Sequence, residues 1–309
     1  MTSPLRHLDM QKLASPSDSA SVASIRSKKS DWLGSMGEIR IGTSGYSFQS
    51  WKGNVYPADI KDSDMFSFCV NQYRMNTVEI NYTYYRLPIA KTFDSLLLKA
   101  PKDFDFTVKL FGGITHEPDN NYPPNQADGN LCSTFLEGIK PLVQSGKLGC
   151  ILAQFPARLK RNSEAWDYLM SLPKALNGLP LVYEFRDKGW VCEETANMLK
   201  QAGIGFCAVD EPQVGSLMPL VPMVTSDIAY LRLHGRNKNW YSDPSHRYDY
   251  FYSEDELRKF LPVINNMASK SRVTYVQFNN CHTGAALRNV KMMQMLLGMD
   301  LPPMQRGLF

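Results

Sequence analysis

The sequence predicts an α/β fold of the TIM type: a single-domain (β/α)8 barrel in which an irregular segment replaces the sixth helix. Eight strand-length runs rich in β-branched and aromatic residues recur after residue 38. Helical patterns separate most of them, and that alternation produces right-handed βαβ units and a parallel sheet. Eight such units in about 270 residues match the typical size of this barrel, about 250.

The runs are "IRIGT" (39–43), "TVEIN" (77–81), "FTVKL" (106–110), "CILAQF" (150–155), "LVYEF" (181–185), "GFCAVD" (205–210), "AYLRLHG" (229–235) and "VTYVQFNN" (273–280). Helical periodicity fills "SDMFSFCVNQYRM" (63–75), "KTFDSLLLKA" (91–100) and "SEAWDYLMSL" (163–172). "EETANMLKQAG" (193–203) stops on a glycine, and "SEDELRKFLPVINNMA" (253–268) opens with a Ser-x-x-Glu capping box. Between the sixth and seventh runs, "EPQVGSLMPLVPMVTSD" is too proline-rich for a regular helix. "FGGITHEPDNNYPPNQADGN" (111–130) reads as a long loop of the kind that often carries function. A doubly wound open sheet is the alternative, but no G-x-G-x-x-G opens the first unit.

Residues 1–37 are Ser-rich and aperiodic, which predicts a disordered tail; 38–298 form the barrel and 299–309 a second tail. The 309 residues carry a net charge of +4, mildly basic and short of a nucleic-acid footprint by charge alone. No apolar run is long enough to span a membrane. The six cysteines show no C-x-x-C spacing, so they read as reduced thiols of a cytoplasmic protein.

In such a barrel, chemistry sits at the C-terminal ends of the strands. All eight runs finish in polar residues: Thr43; Glu79 with Asn81; Lys109; Gln154; Glu184 with Arg186; Asp210; Arg232 with His234; Gln277 with Asn279. Alternation sets Glu79, Glu184 and Arg232 opposite the residues that pack on helices, so they form a polar ring at the mouth. The bland alternative pairs them internally, as Glu79–Arg86 or Glu184–Arg186.

The following loops add Tyr46, Trp51, Trp190 and Trp240, which offer stacking faces or simply cap the core. In "FNNCHTGAALRN" (278–289), Thr283 is expected to cap the last helix, with Arg288 near an anion-binding N-terminus. A divalent metal is a further alternative, with His116, His234, Glu79, Glu184 and Asp210 as an N/O ligand set; no H-E-x-x-H spacing supports it. No G-x-S-x-G elbow marks a nucleophilic serine.

Taken together, "IGTSGYSFQSWKGNVYP", "NTVEINYTYYRLP", "FTVKLFGGITH", "AQFP", "EFRDKGW", "YLRLHGR" and "FNN" resemble, in this order, the YecE-like family (domain of unknown function 72). The resemblance runs from about residue 39 to 296 and implies a TIM barrel similar to those of endonuclease IV and xylose isomerase, hence nucleic-acid or sugar-phosphate chemistry. It implies no established reaction. The family pattern falls on Thr43, Ser44, Gly45, Trp51, Glu79, Asn81, Tyr85, Arg86, Lys109, Thr115, His116, Gln154, Glu184, Arg186, Trp190, His234, Gly235, Arg236, Asn279 and Asn280. Tyr46 replaces a common tryptophan, and Cys281 a common aspartate.

The closing "QRGLF" resembles the pentapeptide by which bacterial proteins dock on the replication sliding clamp, through Gln305, Leu308 and Phe309. The leading expectation is an enzyme acting on an anionic substrate. Glu79 and Glu184 are its proton-transfer candidates, His234 and His116 alternative acids, and Lys109, Arg186 and Arg232 hold the anion. The rival is a nucleic-acid-binding accessory protein tethered to the clamp, and a third alternative is a scaffold whose ring only pairs with itself.

Overall fold

Strict alternation over short β-branched runs yields eight parallel strands in the computed structural model, which describes residues 36–116, 122–215, 217–241 and 246–299. They are β1 (Glu38–Thr43), β2 (Thr77–Ile80), β3 (Asp105–Lys109), β4 (Leu148–Gln154), β5 (Leu181–Glu184), β6 (Gly205–Asp210), β7 (Ile228–Leu233) and β8 (Val273–Phe278). Each expected run overlaps one. The sheet runs in the order β1-β8-β7-β6-β5-β4-β3-β2, every ladder parallel, which is a TIM-type barrel.

Closure between β1 and β2 uses different means. One bridge joins Ser44 to Glu79, and Gly45 N–H donates to Glu79 O at 2.8 Å. Below it, the Asn76 side chain stands in for a strand: its Oδ1 accepts from Ile41 N at 2.7 Å and its Nδ2 donates to Ile39 O at 3.3 Å. Gly42 permits this approach, because a Cβ there would lie 2.0 Å from Thr77 O.

Register separates two interiors. Val78, Ile80, Phe106, Val108, Ile151 and Tyr183 face outward and are buried against the helices, forming the apolar core. The barrel lumen is instead a polar column. At its floor Arg40 Nε contacts Asp105 Oδ2 at 3.2 Å, and Tyr275 OH donates to the same oxygen at 2.7 Å. Thr107 and Tyr230 hydroxyls meet at 2.8 Å in the middle, and Glu79, Arg232 and Glu184 close the top.

The helices follow their sequence signals. Ser253 and Glu256 form the reciprocal capping box, and Gly203 ends helix Glu193–Ala202 in the left-handed region at φ +68°. The pattern over 253–268 divides into Glu254–Arg258 and Leu261–Ala268, with Pro262 in the first turn of the second. The described part of 211–227 holds no helix, as its prolines require. There Glu211 Oε1 accepts from Met218 N at 2.6 Å.

Two expectations are corrected. The loop over 111–130 is shorter than expected: Gly112–Thr115 makes a helical turn, and helix Gly129–Gln144 begins inside it. Asp128 caps that helix by accepting from Asn130 N at 2.8 Å and Leu131 N at 3.0 Å. Thr283 is no cap either; it has φ +50°, and Gly284 precedes helix Ala285–Leu296 at φ +83°. Val55 lies against Gly284, and the exposed Arg288 reaches Asn54 O at 3.5 Å. All six cysteines are free. Among the described residues no helix is long and apolar enough to cross a membrane. Residues 1–35 and 300–309, with the tail and clamp-motif expectations placed on them, lie outside the described residues.

Candidate functional site at the barrel mouth

Period-two alternation brings inward-facing residues of β2, β5 and β7 to one level at the C-terminal end. Arg232 is the hub. Its Nη2 and Nε grip Glu79 at 2.7 and 3.0 Å, its Nη1 reaches Glu184 Oε2 at 2.7 Å, and its Nη2 touches Ser44 Oγ at 3.4 Å. Tyr230 OH adds a bond to Glu79 Oε2 at 2.9 Å. Glu184 Oε1 lies 2.6 Å from Arg186 Nη2, and Arg186 Nη1 is bound by Glu211 at 2.7 Å. The result is a chain of alternating charge from Glu79 through Arg232, Glu184 and Arg186 to Glu211.

Burial raises the cost of every member, and pairing offsets it. Burial alone would raise the Glu184 carboxyl, yet Arg186 and Arg232 hold it well below the usual carboxylate range. Glu211 is raised by burial, with Arg186 opposing. The expected Glu184–Arg186 pair is present. Glu79 pairs with Arg232 rather than with Arg86, whose guanidinium is exposed and lies over the Tyr82 ring. Despite its close approach to Arg186, Glu184 Oε1 accepts no hydrogen bond of good geometry, and His234 Nε2 stands 3.5 Å away.

His234 is fully buried, with Asn279 Nδ2 at 2.8 Å from its Nδ1 and the Trp240 and Tyr248 rings packed around it. Burial and the neighbouring Arg186 bring its pKa down to about 3. Burial, then Lys109, brings His116 down to about 4. Both imidazoles are therefore neutral at physiological pH. They are hydrogen-bonding groups there.

Lys109 is built differently. At the end of β3 it is partly exposed, its Nζ donates to Gln154 Oε1 at 2.8 Å, and the Tyr84 ring centroid is 4.3 Å away. Among the described residues no carboxylate lies within ion-pair distance of it. Burial, followed by the charge of Arg232, lowers its pKa to about 8. Gln154 Nε2 continues to His116 Nε2 at 3.3 Å, and His116 Nδ1 meets Thr115 Oγ1 at 2.9 Å. An Nδ1–H tautomer satisfies both contacts.

Other expected members stand elsewhere, and register explains several. Thr43 pairs with Phe278 and Asp210 with Leu233, so both face outward. Thr43 donates to Gly45 O, while Asp210 accepts from Arg236 and from Tyr252 OH at 2.7 Å. Asn280, one step beyond Asn279, bonds Tyr250 O and Asn289. Trp51 and Trp190 are fully buried core: Trp51 Nε1 donates to Cys281 O at 2.5 Å, and Trp190 stacks on Phe185 at 4.4 Å with its N–H on Leu159 O. Tyr46 packs edge-on against Phe66 and lines a side cleft of about 530 Å³ away from the mouth. Asn81 Nδ2 braces Ser44 O at 3.0 Å, and Tyr85 is 81% exposed on the rim against Tyr84. Sequence reasoning missed Tyr230 and Glu211. Tyr230 was legible, two residues before Arg232 on the same face.

The ligand set imagined for a metal does not fit. Arg232 occupies the space between Glu79 and Glu184, Asp210 faces away, and no group of three or more suitable ligands occurs among the described residues.

The family model described as "Protein of unknown function DUF72" matches residues 40–307. The chain belongs to the DUF72 family. The UPF0759 protein YunF of Bacillus subtilis is 29% identical over 248 residues, spanning 75% of this chain and 88% of that one. A DUF72 family protein of Thermotoga maritima, of known crystal structure, is 36% identical with a TM-score of 0.76, covering 84% of this chain and 99% of its own. One from Enterococcus faecalis shares the fold at 24% identity and a TM-score of 0.74, covering 88% and 99%.

Proposed function

We propose that the mouth is an acid–base enzyme site for an anionic substrate, a phosphorylated sugar or a nucleotide. The observation that carries it is Lys109: among the described residues, a partly exposed ammonium without a carboxylate at ion-pair distance, whereas Arg186, Arg232 and Arg236 each have one. A charge so placed is costly unless an anion completes it. With a pKa of about 8 it exchanges a proton near neutrality, and the His116 imidazole is a neutral acceptor beside it. Glu184, ionised, paired through Oε1 with Arg186 and 3.5 Å from His234 Nε2, is assigned as the second proton-transfer group. Glu79, with both oxygens engaged, is assigned to holding Arg232.

The test is thermal unfolding with inorganic phosphate. Phosphate is expected to raise the Tm of the wild type and to leave Lys109→Met unmoved. Equal shifts in both would refute the assignment.

The exposed Tyr85 beside Arg86 favours a second reading, in which the anion is a nucleic-acid phosphate and the phenol a stacking face. It requires oligonucleotide binding that falls steeply with salt. Docking through Gln305, Leu308 and Phe309 would add a tether to that reading, and removing Leu308 and Phe309 would abolish it.

A further inference from the structure

We propose that Lys109 is a carbonyl-capturing amine, forming an imine with an aldehyde or ketone that also carries an anionic group. The inference rests on the anion-site reading above and goes beyond it by assigning covalent chemistry to one atom. Two geometric facts carry it, and the electrostatics agree. The amine stands on a rigid strand end at the mouth rather than on a loop, where position is most reproducible. Its surroundings are a ring face at 4.3 Å and an amide oxygen at 2.8 Å, with no carboxylate at ion-pair distance among the described residues. Burial and the guanidinium groups of Arg232 and Arg186 together oppose its charge more strongly than Glu184 and Glu79 favour it. An amine that is desolvated and set beside other cations is the arrangement that makes lysine nucleophilic.

The neighbours suit the steps. The neutral Nζ attacks the carbonyl carbon, the C=O π pair moves to oxygen, and one nitrogen proton passes to that oxygen to give a carbinolamine. Nitrogen then uses its lone pair to form C=N while the C–O bond breaks. The hydroxyl leaves as water with the second nitrogen proton. No oxidant or reductant is consumed. His116 Nε2 accepts from Gln154 Nε2, which keeps the Gln154 oxygen turned towards the amine. The Tyr84 ring lies beside both, 5.0 Å from the imidazole centroid, and limits water around the nitrogen. Arg186, already on the ring, faces the substrate's anionic group.

The experiment uses the full chain with glyoxylate, the smallest anionic aldehyde, and cyanoborohydride at neutral pH, followed by peptide mass spectrometry. Carboxymethylation of Lys109 is expected to run at least about tenfold faster than that of exposed lysines such as Lys91 and Lys102, because far more of it is unprotonated. Inorganic phosphate should slow it, and Gln154→Leu should slow it while leaving surface labelling unchanged. Lys109→Arg keeps the charge and serves as the unlabelled control. Labelling of Lys109 at or below the surface rate would overturn the imine. If phosphate still raised the Tm of that same protein, the anion site would stand alone; if not, both would fall.

Discussion

Replacing Lys109 by methionine should make this protein more stable. The pKa falls from 10.5 to about 8 on folding, chiefly through burial. At pH 7 the group is charged in both states, so the folded protein bears about 3 kcal/mol, at about 1.36 kcal/mol for each pH unit. The hydrogen bond to Gln154 and the contact with Tyr84 return about 1 kcal/mol. Lys109→Met is therefore expected to gain about 2 kcal/mol at pH 7. Because the folded pKa is the lower one, the unfolded chain holds the extra proton between about pH 8 and 10.5. Wild-type stability from this group therefore rises by about 3 kcal/mol across that window, so the variant's advantage vanishes within it and is reversed by its upper end. Urea unfolding of both proteins at neutral pH and near pH 10 measures the difference directly. A destabilised variant at pH 7, or a difference that does not change with pH, would refute the account of Lys109 as a strained cation. Stability surrendered at one residue is the usual mark of a site kept for function.

The charge chain predicts the opposite sign for its hub. Arg232→Met strands two buried carboxylates and should cost about 3–5 kcal/mol in urea unfolding, with Glu79→Gln in the same chain recovering part of it. At the seam, Gly42→Ala forces a Cβ to 2.0 Å from Thr77 O and should prevent a cooperative thermal transition, whereas Gly129→Ala, which meets open space, should leave Tm nearly unchanged. Trp190→Ala should cost about 3–5 kcal/mol by removing a stacked core ring, yet leave any phosphate-induced rise in Tm intact.

Much of the fold was legible because each strand is short, apolar and separated by a recognisable helix or proline-rich break. Helix Gly129–Gln144 escaped notice because its start hides in "NQADGN", where only Asp128 signals a cap, and because Pro141 interrupts its pattern. The site was half legible for one geometric reason. Proximity to a strand end identifies a polar residue as belonging to the rim, but parity decides which side of the wall it serves. Ser44, Glu79, Glu184, Arg232 and Asn279 turn inward; Thr43, Asp210 and Asn280, one residue away from inward positions, turn out. Aromatic residues carried the least information. Trp51 and Trp190 follow charged or polar loops, yet each donates its indole N–H to a backbone carbonyl and disappears into the core. The protonation states were beyond reach, since His116 and Lys109 acquire theirs from burial and from charges distant in sequence.

The side-chain stitching between β1 and β2 gives the cylinder one line along which it can unzip. Seven ladders can persist while the Asn76 amide and a single bridge let go. Glu79 sits on that line and Arg232 lies across the lumen from it, so water entering there would reach the charged column first. The backbone amides of Ile41 and Gly45 should accordingly exchange with deuterium ahead of those in β7 and β8, which makes the seam the natural last step of assembly.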